Sequence, residues 1–256
     1  MIQEKNVLKN KKMTNYKKII FTSSVPGTKA EKNLIPAPSS QNIPEWFQKA
    51  NRYAKDPSTD KYWLDENGGK YSTWKGCPVL ADMLSTGYLL KTPCDIKFYL
   101  NKGDIDVEIN DKDKKYFCTK RNPMYQFVHP NGYYETHFAW TPNWAIKLPE
   151  GYSALYTMPL NRFDLPFLMT TGIVDNDKIS GSGSIPFFLV KGFEGTIPAG
   201  TPYAQIIPFK RENWESEIVI QSDEIIKENI MKNYELTRIK DGGYYRKNIW
   251  SKRTYK

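Results

Sequence analysis

The stretch that decides the fold runs from residue 146 to residue 209 and reads IKLPEGYSALYTMPLNRFDLPFLMTTGIVDNDKISGSGSIPFFLVKGFEGTIPAGTPYAQIIPF. Its apolar residues come in short runs, Tyr152 to Met158, Leu165 to Val174, Ser184 to Val190 and Tyr203 to Phe209. Punctuation separates them: Pro149-Glu150-Gly151, the Ser180 to Ser184 run, and Pro198-Ala199-Gly200. Runs of this length between Pro/Gly turns predict β-strands. The pattern continues upstream. Asp95 to Leu100 and Asp104 to Ile109 flank Asn101-Lys102-Gly103, and Ile105, Val107 and Ile109 alternate as in a strand with one wet face. Met124 to His129, Tyr133 to Trp140 and Trp144 to Leu148 complete the set. Many short strands at regular spacing predict a mainly β sandwich or barrel over residues 78–210.

The flanks read differently. Residues 1–33 predict a flexible basic leader, and LIPAPSSQNIP (34–44) a linker. Glu45 to Tyr53 predicts a short helix with Pro44 at its start. Residues 61–75 predict a hairpin around Asn67-Gly68-Gly69, so 34–77 forms an N-terminal extension. After the strands, Ser222 can cap a helix that begins with Asp223 and Glu224 and stops at Gly242-Gly243. Ile226, Ile230 and Tyr234 give it a narrow apolar stripe, suited to the sheet or to a neighbouring subunit. Residues 211–256 thus comprise a helix and a basic, aromatic tail.

At 256 residues, with 39% hydrophobic and 25% charged side chains, the chain can bury a core without staples. No apolar run approaches the ~20 residues of a membrane helix, and no apolar segment follows the first lysines as in a secretory signal. Cys77, Cys94 and Cys118 are too few for a disulfide framework, which predicts an intracellular protein. The net charge of +9 is unevenly placed. Residues 1–18 carry six lysines against Glu4, for +5, and residues 238–256 carry seven cations against Asp241, for +6, leaving −2 for the body. Basic ends of this kind are able to contact phosphates of a nucleic acid.

The 146–209 stretch resembles the second half of the dUTPase and dCTP deaminase superfamily, whose fold is the β-clip. Tyr152 to Arg162 is similar to the strand leading into that family's Pro-Arg-Ser segment. Gly172-Ile173-Val174-Asp175-Asn176-Asp177 is similar to its Gly-Val-Ile-Asp-x-Asp segment, and Ile197 to Ile207 to its Gly-Asp-Arg-Ile-Ala-Gln-Leu-Ile segment. The resemblance implies a β-clip core, a homotrimer with sites at subunit boundaries, and a nucleotide diphosphohydrolase-like activity. It implies that Asp175 orients the attacking water, that Gln205, Arg162 and Asp177 contact the nucleotide, and that Mg²⁺ arrives on the substrate's phosphates. The departures are specific. Pro159-Leu160-Asn161-Arg162 lacks the family's serine and displaces its arginine by two positions. Lys178 stands where the family stacks a tyrosine on the pyrimidine, Ala81-Asp82-Met83 is a poor match to an earlier Ala-Gly-x-Asp-Leu segment, and no glycine-rich end is present. The whole chain is also similar to an uncharacterised family encoded by tailed phages, which implies the host cytoplasm or the virion as its location and no particular activity.

Three functions therefore stand side by side: a nucleoside triphosphate-binding or -hydrolysing protein, a non-catalytic phage accessory or virion protein using the β-clip as an oligomerising scaffold, and a nucleic-acid binder acting through its basic ends. The residues point to no resident metal. His129, His137 and Cys118 fit no zinc spacing and read as strand residues. The Ser/Gly run at 180–184 reads as a loop.

Overall fold

The computed structural model describes residues 17–25, 28–66, 68–121, 128–181, 183–234 and 248–256. It is mainly β, as the turn-punctuated sequence predicts. In chain order the strands are β1 (Ile20–Ser23), β2 (Ala37–Pro38), β3 (Tyr88–Lys91), β4 (Ile96–Asn101), β5 (Asp104–Glu108), β6 (Cys118–Lys120) and β7 (Tyr133–Trp140). There follow β8 (Trp144–Lys147), β9 (Tyr152–Thr157), β10 (Phe167–Met169), β11 (Gly172–Val174), β12 (Ile185–Val190), β13 (Gly195–Ile197) and β14 (Pro202–Lys210). Among the described residues three α-helices accompany them: α1 (Glu45–Lys49), α2 (Pro78–Ser85) and α3 (Asp223–Tyr234).

The strands form antiparallel sheets in the orders β11-β9-β14-β3-β2, β10-β12-β7-β6, β13-β4-β5 and β1-β8. Their inner faces meet in one core. Ile96, Phe98, Ile105, Phe138, Trp140, Phe167, Phe187, Leu189, Tyr203 and Ile206 are all buried there. Trp140 lies flat on Phe187 with ring centroids 3.9 Å apart, and Phe98, Phe138 and Phe167 meet the same ring at wider angles. Offset and edge contacts among aromatic rings add to what burial alone contributes.

Several expectations are corrected by packing. The leader is not wholly flexible: Ile20–Ser23 pairs with Trp144–Lys147, because Ile19 and Phe21 pack on the core and the Phe21 ring meets Tyr88 at 5.4 Å. The single run Leu165 to Val174 becomes two strands in two sheets, since β10 pairs with β12 and β11 with β9. The chain changes sheet at Thr170-Thr171, where Thr170 donates to Pro186 O and the Thr171 and Thr157 hydroxyls meet at 3.0 Å. The helix at 45 stops after Lys49. The hairpin at 61–75 is a meander of single bridges, Lys55 to Tyr62, Leu64 to Lys70 and Tyr53 to Ser72. Asn67 lies outside the described residues, as do most of the expected strand at 124–129 and the expected end of the last helix beyond 234.

Gly87 shows how tightly the centre is built. Its φ is +71°, and a Cβ there would lie 2.2 Å from the Ile206 carbonyl oxygen, so only glycine lets the turn between α2 and β3 pass against β14. At the heart of the core, Phe187→Ala is expected to cost about 3–5 kcal/mol. Urea unfolding at unchanged m-value measures this.

Candidate functional site

The Gly172 to Asp177 segment leaves the edge strand β11 and turns sharply. Lys178 and Ile179 donate backbone N–H groups to Asp175 O at 2.9 and 3.0 Å. The middle residue, Asn176, is fully buried and acts as a rivet. Its amide donates to Ile146 O and Ile179 O, each at 3.3 Å, and its Oδ1 accepts from the Tyr156 hydroxyl at 3.1 Å. The two flanking aspartates are therefore held at fixed positions.

The neighbour that organises them is Arg211, the first residue past β14. It lies there because β14 runs beside β9 until Lys210 pairs with Tyr152 and Arg211 N donates to Gly151 O at 2.9 Å. Its guanidinium forks onto Asp177, with Nη1 donating to Oδ1 at 2.8 Å and Nη2 donating to Oδ2. Gly151 N–H also donates to Asp177 Oδ2 at 2.9 Å. The Asp177 side chain is only 4% exposed, and the Arg211 hydrogen bonds hold its pKa far below the usual carboxylate range. Both of its oxygens are engaged within the chain.

Asp175 is different. It is half-exposed, and Ser153 Oγ donates to its Oδ1 at 2.6 Å. Arg211 Nη1 lies 3.3 Å from the same oxygen, while Oδ2 faces outward with Lys178 Nζ at 3.7 Å. The Ser153 hydrogen bond first, then the charges of Arg211 and Lys178, lower its pKa. An ionised carboxylate of depressed pKa is a weak proton acceptor but is suited to orienting a water molecule. The cations beside it suit an anionic ligand.

The other two candidates lie elsewhere. Gln205 is 1% exposed in the middle of β14. Its Nε2 donates to Met83 O at 2.9 Å and Thr86 O at 2.6 Å, and its Oε1 accepts from Leu160 N at 2.8 Å. It ties the end of α2 to the loop after β9. Arg162, on that loop, makes a two-pronged contact with Asp164, both distances 2.8 Å, which holds the Asp164 pKa low. Trp46 Nε1 reaches the same carboxylate at 3.3 Å.

Asp175 and Asp177 are thus brought together through Arg211, and Gln205 and Arg162 through residues 160–164. The two pairs sit at opposite ends of β9, since Asp175 touches Ser153 whereas Gln205 pairs with Thr157. Four residues of strand separate them by about 13 Å. Arg211 and Ser153 are the site residues that sequence reasoning missed; Arg211 lies 34 positions from Asp177 and only strand register joins them.

Asp82, from the poorly matching Ala81-Asp82-Met83 segment, receives Trp250 Nε1 at 2.7 Å and Arg253 Nη1 at 3.2 Å. It anchors residues 248–256, and Tyr255 packs edge-on against Tyr88. One cation of the basic tail is therefore engaged with the body. Among the described residues, no three His, Cys, Asp or Glu side chains cluster to hold a metal ion, and no helix is long and apolar enough to cross a membrane. Burial pushes the Cys94 thiol up to about 11 and raises Cys118 as well, so neither is an activated nucleophile. A polar cleft of about 510 Å³, lined by Lys29, Asp95, Lys97, Glu108 and Lys114 among others, includes none of the four candidate residues.

No protein-family model matches the chain, and no curated protein matches it. Among solved structures it is similar to the dUTPase from phage phi11 of S. aureus, described for its species-specific insert. That match has 14% identity, a TM-score of 0.24, and covers 41% of this chain and 97% of the other. A point mutant of the same enzyme, described as coordinating a structural Mg(II) ion, matches at 15% identity and a TM-score of 0.25 over 41% and 97%.

Two measurements test the site's construction. Arg211→Ala leaves Asp177 without its guanidinium and is expected to lower Tm and to free the 175–179 turn, seen as faster amide exchange there. Because the native pKa of Asp177 is depressed, the unfolded chain takes up a proton first as pH falls below about 4, and stability declines from there toward the native pKa. Asp177→Asn is expected to flatten that acid limb of a stability–pH curve. Separately, Gln205→Leu leaves the buried Thr86 carbonyl and the part-buried Met83 carbonyl and Leu160 N–H without their amide partner. At about 1–3 kcal/mol per orphaned group, it is expected to be among the most destabilising substitutions in β14, measured by urea unfolding.

Proposed function

We propose that this chain is a dUTPase-like phage protein that binds a nucleoside triphosphate in the host cytoplasm, with Asp175 orienting the water that attacks the phosphate chain. The observation that carries the reading is the Asp175 carboxylate itself: ionised, rigidly mounted on the Asn176 turn, with Oδ1 held by Ser153 and Arg211 and Oδ2 left beside Lys178. Phosphoryl chemistry needs such a water-positioning group and nearby cations more than it needs a strong base. Asp177 holds Arg211 in place. In this reading the core at 78–210 is a β-clip and the protein is a homotrimer. A second copy then supplies the Gln205–Arg162 end of β9 that one chain holds about 13 Å from Asp175. Gln205 acts there through Leu160, whose loop it fixes.

Mg²⁺ fits this donor set as a substrate-borne ion. Its shell would come from phosphate oxygens and water, because Asp175 Oδ2 is given to the attacking water and has Lys178 Nζ at 3.7 Å. When bound, it neutralises charge on the triphosphate.

A second reading, the non-catalytic oligomerising scaffold, is favoured by a different observation. The Gln205 amide, the Arg162 guanidinium and both Asp177 oxygens are already engaged within the chain. Thermal unfolding with each deoxynucleoside triphosphate, with and without Mg²⁺, separates the two. The nucleotide reading expects a selective rise in Tm, with ~2.7 kcal/mol of added stability at 100-fold the Kd. It also expects Asp175→Asn to keep the unliganded Tm while losing turnover. A Tm unmoved by any nucleotide overturns it and leaves the scaffold.

A further inference from the structure

Among the described residues two apolar surfaces face solvent, and neither includes Asp175, Asp177, Gln205 or Arg162. The first is an arm. After Arg211 the backbone runs out through residues 212–222 into α3, and residues 212–233 are exposed throughout. It carries Trp214 (88% exposed), Ile218, Val219 and Ile220 (94% exposed), then Ile226 and Ile230 on the helix. Ile226 and Ile230, of the α3 stripe that the sequence assigned to a docking surface, are covered by none of the described residues. The second surface is the 50–76 lobe. It presents Trp63, Leu64, Tyr71 and Trp74, and Trp74 packs on the exposed Phe163 at 5.9 Å.

We infer that the two surfaces cover each other between copies: the 212–234 arm of one protomer docks on the Trp63–Trp74–Phe163 surface of a second copy of this chain. Charge favours the pairing. The arm has six carboxylates against two lysines, a charge of −4, whereas residues 50–76 have five cations against four carboxylates, a charge of +1. An arm of charge −4 is repelled by nucleic acid but attracted to this lobe.

Area agrees. At roughly 100–150 Å² for each large exposed side chain, each surface offers about 600 Å² or more of apolar area. With a polar rim, that reaches the ~800 Å² per partner of a standard stable interface. A monomer seldom leaves patches of this size uncovered. Stoichiometry also agrees, because every copy carries one arm and one lobe and their mutual burial leaves neither over. The contact is head-to-tail, so it closes into a ring or continues as a filament. It is independent of any nucleotide.

The test uses two full-length variants whose changes are all at exposed positions, where substitutions usually perturb folding least. One is Trp214→Ser/Ile218→Ser/Ile220→Ser in the arm, and the other is Trp63→Ser/Trp74→Ser/Phe163→Ser in the lobe. Light scattering after size exclusion, without nucleotide, is expected to find wild type at two or more protomer masses and each variant alone as a monomer with wild-type circular dichroism. Mixed one to one, the variants retain one good arm and one good lobe and are expected to form a dimer. A monomeric wild type overturns the inference. So does a lobe variant that keeps the wild-type mass, which would give the lobe a different occupant. A mixture that stays monomeric overturns it too, since an intact arm and an intact lobe then fail to pair.

Discussion

The structure depends on the hydrogen-bonded ladder of β14, held between β9 on one side and β3 on the other. Each neighbour brings something that β14 must reach. Beside β9 lies the Ser153 hydroxyl that supports Asp175. On the other side, β3 follows α2, the helix that anchors the C-terminal residues through Asp82. The strand's own side chains make the joints. Tyr203, Ala204 and Ile206 enter the core, Gln205 binds carbonyls beyond its edge, and Arg211 at its end locks the Asp177 turn. A shift of register by one residue would reverse the faces and undo all of these at once.

Three buried polar residues do work that backbone pairing cannot. Gln205, Asn176 and Asp82 each join segments that are distant in sequence and irregular where they meet. Each is satisfied by several partners, as burial in a low-dielectric interior requires. The two candidate carboxylates diverge for the same reason. One is fully taken up in this joinery, and the other, two residues away, keeps an oxygen toward solvent.

What was legible in the sequence was local. The Ile105-Val107-Ile109 alternation and the turns at 101–103, 130–132 and 149–151 marked strands, because side-chain period and turn chemistry are short-range properties. The Asp-Asn-Asp segment marked a turn carrying chemistry. Other strands were hidden for physical reasons. β3 has four residues, all buried, and follows a helix directly, so it shows no alternation. β1 sits in a polar leader and is fixed by Phe21 reaching Tyr88. Arg211 was illegible as a site residue because its partners lie 34 and 58 positions away. The roles of Gln205 and Arg162 were equally hidden, since nothing near them in sequence names the Met83 and Thr86 carbonyls or distinguishes Asp164 from any other surface carboxylate.

The central position of β14 has a consequence for synthesis. Its flanking strands are made long before it: β3 ends at residue 91, β9 at 157, and β14 begins at 202. At roughly 5–20 residues per second, about 2–9 s pass between the completion of β9 and the arrival of its partner. Through that interval β3 and β9 lack the strand that joins them, and the apolar residues that β14 will cover stay open. The nascent chain is then most exposed to self-association, and slow decoding between residues 158 and 201 would lengthen the exposure. Yield of soluble protein should therefore respond to codon choice in that interval more than to codon choice after residue 210.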